Sequence, residues 1–156
     1  MSKLTTPSPR VNRIDMSKLD DADGALELMF FAHRGMTREA DDILEKVGLG
    51  RAHHRILFVI ARRDGVTVGE LRGNLGVSAQ AMHRPLKQLQ EAGLVAVTRD
   101  PTRHRFKALH LTKKGRELEH SASEAERRVM RAAFEAAGPA ARRGWTKVMA
   151  IVARNA

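Results

Sequence analysis

Apolar residues recur along most of this chain at spacings of three and four, which predicts a mainly helical fold. The first stripe of this kind comprises Leu26, Phe30, His33, Thr37, Ala40, Leu44 and Val47. A second helix is predicted over residues 51–63, with a core face made of Ile56, Leu57, Val59 and Ile60. Asp20 and its acidic neighbours favour the start of the first helix, and Gly48 favours its end.

The C-terminal part of the chain continues the helical pattern over many turns. Thr112 is the predicted N-cap of a stripe made of Leu118, Ala122, Ala125, Val129, Ala132 and Ala136. We expect Gly138-Pro139 to break that helix, because proline removes a backbone hydrogen bond and crowds the preceding turn. Beyond the break, a last amphipathic helix is predicted from Trp145, Val148, Met149 and Val152.

Between these long helices the pattern becomes shorter and more local. Thr67 followed by Glu70 has the spacing of a capping box, in which two side chains satisfy free backbone amides at a helix start. Gly76 would supply a turn after that third helix, and Ser78 would cap a fourth helix that ends near Gly93. Residues 94–97 and 106–111 then predict two short strands, with a loop between them.

Two short helices joined by a tight turn and followed by a hairpin are typical of a winged helix-turn-helix. The predicted fold class is therefore mainly α, with a small β-hairpin wing, flanked by long dimerisation helices. We expect a mobile N-terminal arm over residues 1–19, an N-terminal dimerisation helix over 20–50, the winged helix-turn-helix over 51–111 and C-terminal dimerisation helices over 112–156. One small head cannot readily bury three long apolar stripes, so a homodimer is expected.

The fourth helix would have one apolar and one polar face. Met82, Leu86 and Leu89 recur at four and three residues and would point to the core. The opposite face would present Ser78, Ala79, Gln80, His83, Arg84 and Lys87. Pro85 lies between these positions, so the helix is expected either to kink there or to begin later than Ser78.

The residue types on that polar face suit the major groove of DNA. Glutamine can bridge the edge of adenine, and arginine can bind guanine or a phosphate, which gives roles to Gln80 and Arg84. His83 could contact either kind of group, and Lys87 is expected to hold a backbone phosphate. The alternative is an ordinary solvated helix face.

The predicted hairpin is crowded with positive charge. Its basic residues are Arg99, Arg103, His104, Arg105 and Lys107. Such a cluster repels itself unless a negative partner approaches, and a narrow minor groove attracts inserted arginine. We therefore predict that the wing contacts DNA, with a solvated loop as the alternative.

Composition narrows the class of partner. The chain carries 28 Lys and Arg against 18 Asp and Glu, a formal net charge of +10. That charge favours a polyphosphate partner, although an acidic membrane surface would also attract it. Tyrosine is absent and other aromatic residues are few, which disfavours proteins that stack single-stranded bases. Cysteine is absent as well, which excludes disulfides and thiolate chemistry.

No apolar run in the sequence reaches the length that spans a bilayer, and the N-terminal stretch lacks the apolar centre of a secretory signal. A cytoplasmic protein without membrane contact is expected.

Metal binding is an alternative role for the histidines. His53 and His54 are adjacent on a helix and point about 100° apart, so they cannot easily share one zinc ion. One of them is expected to pack or hydrogen-bond near the domain junction while the other is exposed, and His33 lies on the first apolar stripe. No metal and no cofactor is predicted.

The acidic residues on the first and fifth helices have the spacing of solvated helix surfaces: Asp41, Asp42, Glu45, Glu124 and Glu126. No nucleophile or phosphate-binding loop accompanies them, so we expect them to be solvated or to pair with Arg127 and Arg128. Trp145 is expected to pack in a dimer base. No enzyme is predicted.

Residues 49–115 resemble the MarR family of bacterial transcription regulators. The motifs that carry the resemblance are TVGEL, LGVSAQAMHRPLKQLQEAGLV, RDPTRHR and LTKKGREL. The resemblance implies a winged-helix dimer that usually represses by occupying a promoter and is released by a small molecule bound between its helical base and its DNA-binding head. The chain departs from the family at Arg103, where an Asp commonly orients the wing arginine that corresponds to Arg105.

The sequence therefore predicts a homodimeric DNA-binding transcriptional regulator, which the family resemblance implies to be a repressor of a pseudo-palindromic promoter. A sequence-nonspecific architectural DNA- or RNA-binding protein is the first alternative. A protein-interaction module that uses the winged-helix surface without nucleic acid is the second.

Overall fold

A computed structural model describes residues 18–99, 102 and 106–156. The helices are α1 (Asp21–Glu45), α2 (Arg51–Arg62), α3 (Val68–Leu75), α4 (Ala79–Glu91) and α5 (Lys113–Val152), followed by a 3-10 turn over Ala153–Asn155. The strands are β1 (Val66–Thr67), β2 (Val95–Arg99) and β3 (Lys107–Leu111). The predicted N-terminal arm lies outside the described residues up to position 17. The mainly α fold with a small wing is confirmed.

The chain forms two compact units, residues 1–38 and residues 39–156. In the described part of the first unit, the Asp20 carboxylate accepts a hydrogen bond from the Asp23 amide at 2.8 Å, which confirms the predicted cap of α1. The rings of Phe30 and Phe31 meet edge to face, with their centroids 5.3 Å apart. Large apolar side chains of this segment remain exposed in the single chain, namely Leu26, Leu28, Met29 and Phe30.

The core of the second unit is formed by the helices and strands of the winged head. Its buried members are Ile56, Leu57, Val59, Ile60, Val66, Leu71, Met82, Leu86, Leu89, Leu94, Val95, Leu109 and Leu111. The predicted core faces of α2 and α4 are therefore both confirmed. Because one face of α4 is buried in this core, the opposite face of the helix is directed outward.

A smaller apolar cluster joins the end of α1 to α5. Ala40 and Leu44 pack there against Ala122 and Ala125, and all four residues are at most 2% exposed. The rest of the α5 stripe is solvent-accessible in the single chain, since Val129 is 38% exposed and later members are exposed too. The predicted stripe is thus buried over its first half only.

The sheet contains one strand more than the sequence predicted. Its antiparallel order is β1-β3-β2, with Val66 opposite Leu109 and Val95 opposite Leu111. The two-residue β1 was missed because it is too short to show alternation and runs straight into the Thr67 cap of α3.

The sequence left the effect of Pro85 open and predicted a helix break at Gly138-Pro139. The backbone of α4 is continuous from Ala79 through Pro85, so a later helix start is wrong. The hydrogen bond that Pro85 cannot make would have reached the carbonyl of Ala81, an exposed residue whose carbonyl water can hydrate. At the other position, Gly138 has a φ of +84° and interrupts α5, which confirms the predicted break before Pro139.

The start of α5 is fastened to the turn that follows α4. The Thr112 hydroxyl donates to the carbonyl of Gly93 at 2.8 Å and accepts from the amide of Gly115 at 3.0 Å. A Cβ atom on Gly115 would lie only 2.0 Å from the carbonyl oxygen of Leu94. Glycine is therefore the residue that permits this close approach.

Candidate nucleic-acid interface

Local capping interactions build the helix-turn-helix. The Thr67 hydroxyl accepts from the Glu70 amide at 3.2 Å, while a Glu70 carboxylate oxygen accepts from the Thr67 amide at 2.9 Å. Gly76 ends α3 in the left-handed conformation, with φ at +64°, and the Ser78 hydroxyl accepts from the Ala81 amide at 3.1 Å. Both predicted caps and the predicted turn are confirmed, and they fix where α4 begins.

The outward face of α4 carries the residues that the sequence had selected for DNA contact. All six are exposed: Ser78, Ala79, Gln80, His83, Arg84 and Lys87. The Lys87 ammonium lies 3.6 Å from the Glu91 carboxylate, an exposed pair one helical turn apart that stabilises the helix only weakly. The face combines side-chain amide, imidazole and guanidinium groups on a rigid support, which is the chemistry that reads base edges and holds phosphates.

A hydrogen bond that the sequence did not predict attaches α4 to the start of α2. His53 Nδ1 accepts from the Gly50 amide at 3.0 Å, so the ring proton is on Nε2, which donates to Gln88 Oε1 at 2.9 Å. Histidine occupies the position of the acid or amide in a capping box, and that spacing was the available signal. The expectation that one of the two adjacent histidines is simply exposed is therefore wrong, because half-buried His53 is bonded on both nitrogens.

The wing strands bring like charges together. Arg99 and Lys107 are direct cross-strand partners at the loop end of the β2-β3 hairpin, and both are exposed. Directly opposed like charges destabilise a strand pair, so this end of the hairpin favours an anionic partner. The remaining predicted wing residues, Arg103, His104 and Arg105, lie outside the described residues.

A buried polar network joins α2 to α5. Arg62 Nη1 donates to Glu119 Oε1 at 2.5 Å, and the Ser123 hydroxyl donates to the same oxygen at 2.6 Å. His54 Nε2 lies 3.0 Å from Ser123 Oγ, and His54 Nδ1 lies 3.5 Å from the Glu126 carboxylate. Serine, histidine and carboxylate are thus in contact, but Ser123 is only 1% exposed and its proton is directed to Glu119. We interpret the network as structural.

Burial lowers the pKa of His54, against the opposing fields of Glu126 and Glu119. The folded protein therefore binds this proton less readily than the unfolded chain does. The stability that neutral His54 contributes should be complete above the unfolded pKa of about 6.5 and should be lost as the pH falls below it.

We expect the free energy of unfolding of the wild-type chain to fall on acidification from pH 7.5 to pH 5, with a His54 contribution of at most about 1.4 kcal/mol per pH unit, the limit for one proton. Urea unfolding at several pH values measures it. His54→Gln keeps an amide donor toward Ser123 without a titrating ring, so its stability should depend less on pH. Identical pH dependence in both chains would contradict the assignment.

Several acidic residues pair with arginine on helix surfaces. Arg128 hydrogen-bonds to Glu39 and thereby holds the pKa of that carboxyl below its ordinary value. Arg127 and Arg131 do the same to Glu124, which confirms the predicted Glu124–Arg127 pairing. Within the described ranges, no three histidine or acidic side chains converge to hold a metal ion. No helix among the same residues is long and apolar enough to cross a membrane.

Comparison with known proteins gives one consistent result. The MarR family profile matches residues 47–105. The HTH-type transcriptional regulator PetP of Rhodobacter capsulatus is 46% identical over 124 residues, which cover 80% of this chain and 75% of PetP.

Solved structures share the fold. The transcriptional repressor CouR, bound to a 23-mer DNA duplex, is 24% identical with a TM-score of 0.67, and the match covers 90% of this chain and 98% of CouR. MarR of Staphylococcus aureus, in complex with salicylate and kanamycin, is 20% identical with a TM-score of 0.68, and the match covers 86% of this chain and 94% of that one.

Proposed function

This chain belongs to the MarR family, a family of DNA-binding transcription regulators and not of enzymes, and on that premise we propose that it is a homodimeric repressor of a pseudo-palindromic promoter. The observation that carries the proposal is the exposed polar face of α4, held rigid by the burial of Met82, Leu86 and Leu89. We propose Gln80 and Arg84 for base contacts, His83 for either kind of contact and Lys87 for a phosphate.

The remaining predicted site residues would support that contact from its edges. Ser78 and Ala79 lie at the N-terminal end of α4, where backbone amides favour phosphate oxygens. The wing residues Arg99, Arg103, His104, Arg105 and Lys107 would approach the neighbouring minor groove. The net charge of +10 would add counterion release to the binding free energy. A regulator of this kind acts on chromosomal DNA, so we propose a cytoplasmic location.

Two exposed helix segments support the proposed dimer, each by its own composition. The first part of α1 and its cap, Asp20, combine exposed apolar residues with acidic ones, which in the helix are Asp21, Asp23 and Glu27. The part of α5 beyond Gly138 exposes Trp145, Val148, Ile151 and Val152. That segment contains basic residues, and the sequence has no acid after Glu135. We propose that a second copy covers these apolar surfaces, with opposite charges aiding the choice of partner.

We also propose that a small molecule bound between the dimerisation helices and the DNA-binding head releases the duplex. Its support is the salicylate complex of the S. aureus protein, together with a cationic aromatic surface on α2 of this chain. There, the Arg62 and Arg55 guanidinium carbons lie 3.5 and 5.0 Å from the Phe58 ring centroid. Such a surface suits an anion with an aromatic ring.

Selection from a random-sequence duplex library tests the proposed function. We expect the full chain to retain duplexes with two related half-sites about 10 bp apart, or a multiple of that spacing, because two heads must read one side of B-form DNA. Affinity for the retained duplex should fall about 1000-fold or more between 50 and 200 mM salt if six or more phosphates are contacted.

Other outcomes of that selection have distinct meanings. Duplex binding without any enriched sequence would favour the architectural alternative, and preference for RNA competitor would favour the RNA-binding one. A monomer in sedimentation would contradict the dimer. Unchanged affinity for the retained duplex after addition of salicylate would argue against release by aromatic anions of this type.

A further inference from the structure

A chain of three polar side chains crosses the base of the wing. His110 Nδ1, on β3, lies 3.0 Å from Asp64 Oδ1, in the turn that follows α2. His110 Nε2 lies 2.9 Å from Thr98 Oγ1, on β2. A neutral ring satisfies both contacts at once, because Nδ1–H donates to the carboxylate while Nε2 accepts from the hydroxyl. We call Asp64, His110 and Thr98 the wing-base clamp.

The backbone holds Asp64 in the position that the clamp requires. Gly65 adopts a φ of +78°, and its amide donates to the carbonyl of Leu109 at 2.9 Å. The next residue, Val66, pairs with Leu109 as part of β1. The unpredicted strand thus connects the end of α2 to β3, one residue away from His110 in the sheet. The turn presents its carboxylate to the imidazole as a consequence of this pairing.

The contact between His110 and Thr98 follows from the register of the hairpin. His110 is opposite Ala96 and Thr98 is opposite Ala108, so the two side chains are diagonal neighbours on one face of the sheet. The next cross-strand pair beyond Thr98 is Arg99 and Lys107, whose like charges repel. The clamp is therefore next to the pair whose repulsion tends to open the hairpin, on the side away from the loop.

We propose that Asp64, His110 and Thr98 are positioning residues that fix the angle of the wing strands, so that Arg99 and Lys107 meet the DNA backbone. This inference rests on the proposed function. These three residues would support the wing at the base of the hairpin, and all three lie in the part of the chain that the structure describes.

Because the clamp is partly exposed, its effect should be measured in DNA binding and not in folding stability. The Asp64 side chain is 64% exposed and that of His110 is 31% exposed, so this hydrogen bond contributes little to folding. Loosening it would instead allow the wing cations to leave their phosphates. The number of phosphate contacts appears in the salt dependence of binding, which a purely structural role would not change.

Two substitutions of Asp64 distinguish the effect of the clamp hydrogen bond from the effect of removing a negative charge. Asp64→Ala and Asp64→Asn both remove one negative charge near the DNA, but only the asparagine keeps an oxygen that accepts from His110 Nδ1–H. Charge alone predicts that both variants bind the selected duplex more tightly. The clamp predicts that Asp64→Ala binds more weakly than Asp64→Asn, with a shallower dependence on salt.

The expected difference is a decrease of about 0.9 in the slope of log affinity against log salt for each phosphate that the wing releases, which is about eightfold in affinity at 0.1 M salt relative to 1 M. Thr98→Val should behave like Asp64→Ala, while Thr98→Ser, which keeps the hydroxyl, should behave like the wild type. Hydroxyl-radical footprints should lose protection at the flanking minor grooves and keep it at the half-site centres. Asp42→Ala removes an exposed acid elsewhere and should leave the slope unchanged.

Equal slopes for Asp64→Ala and Asp64→Asn, on a duplex that the wild type selects and binds, would overturn the clamp and leave the proposed function intact. If the wild type selects no duplex, the proposed function fails first and the clamp fails with it. Circular dichroism and thermal unfolding of each variant distinguish altered binding from altered folding.

Discussion

Replacing Arg84 with glutamate is expected to abolish recognition of the selected duplex. Arg84 lies in the middle of the exposed face of α4 and forms no ion pair with any residue in the described parts of the chain. Loss of a bidentate arginine contact costs about 1–3 kcal/mol, and a carboxylate facing DNA phosphates adds repulsion of several kcal/mol. If two heads read each duplex, as proposed, affinity should fall by at least about 1000-fold.

Controls for Arg84 separate charge, geometry and folding. Arg84→Lys keeps the charge without the planar fork, so it should retain nonspecific binding and lose preference among bases at one position of each half-site. Lys46→Glu makes the same change of charge at an exposed position in the α1–α2 connection and should have a far smaller effect. If Arg84→Glu binds with near wild-type affinity in a competition titration, α4 is not the helix that contacts the bases.

Replacing Gly115 with alanine is expected to destabilise the fold by at least about 3 kcal/mol. The added Cβ would lie 2.0 Å from the carbonyl oxygen of Leu94 and 3.0 Å from its carbonyl carbon. Both are backbone atoms, so neither can rotate away, and the start of α5 must move from the turn to which Thr112 fastens it. Thermal unfolding should therefore show a large decrease in Tm or no folded state.

Gly73→Ala is the matched control for that substitution. Gly73 is an exposed position of α3 where an added Cβ meets nothing within 4 Å. Alanine there should stabilise the helix by about 0.5–1 kcal/mol, because it has less backbone entropy to lose. A Gly115→Ala chain as stable as the wild type would mean that α5 does not approach Leu94 so closely.

Local interactions explain why the helix-turn-helix could be predicted so well from the sequence. Thr67, Glu70, Gly76 and Ser78 act within four residues of the groups they satisfy, so their roles can be read from spacing alone. The buried faces of α2 and α4 follow from periodicity in the same way. These features fix where the helix-turn-helix begins, turns and presents its polar face.

The features that sequence reasoning missed depend on partners distant along the chain. His53 and Gln88 are 35 residues apart, and His54 and Ser123 are 69 residues apart. No periodicity connects such positions. The strand β1 was missed for the same reason, since its two residues become a strand only through β3. The wing-base clamp depends on that pairing and could not have been predicted either.

The bond between His53 and Gln88 restricts how this protein could be redesigned. A chimaera that receives the α4 of another regulator, in order to bind a different promoter, would inherit whatever residue that helix carries at position 88. Without an acceptor there, the Nε2–H of His53 would lose its hydrogen bond. Transplanted helices should therefore work best when they carry an amide at this position, however well their outward residues suit the new DNA.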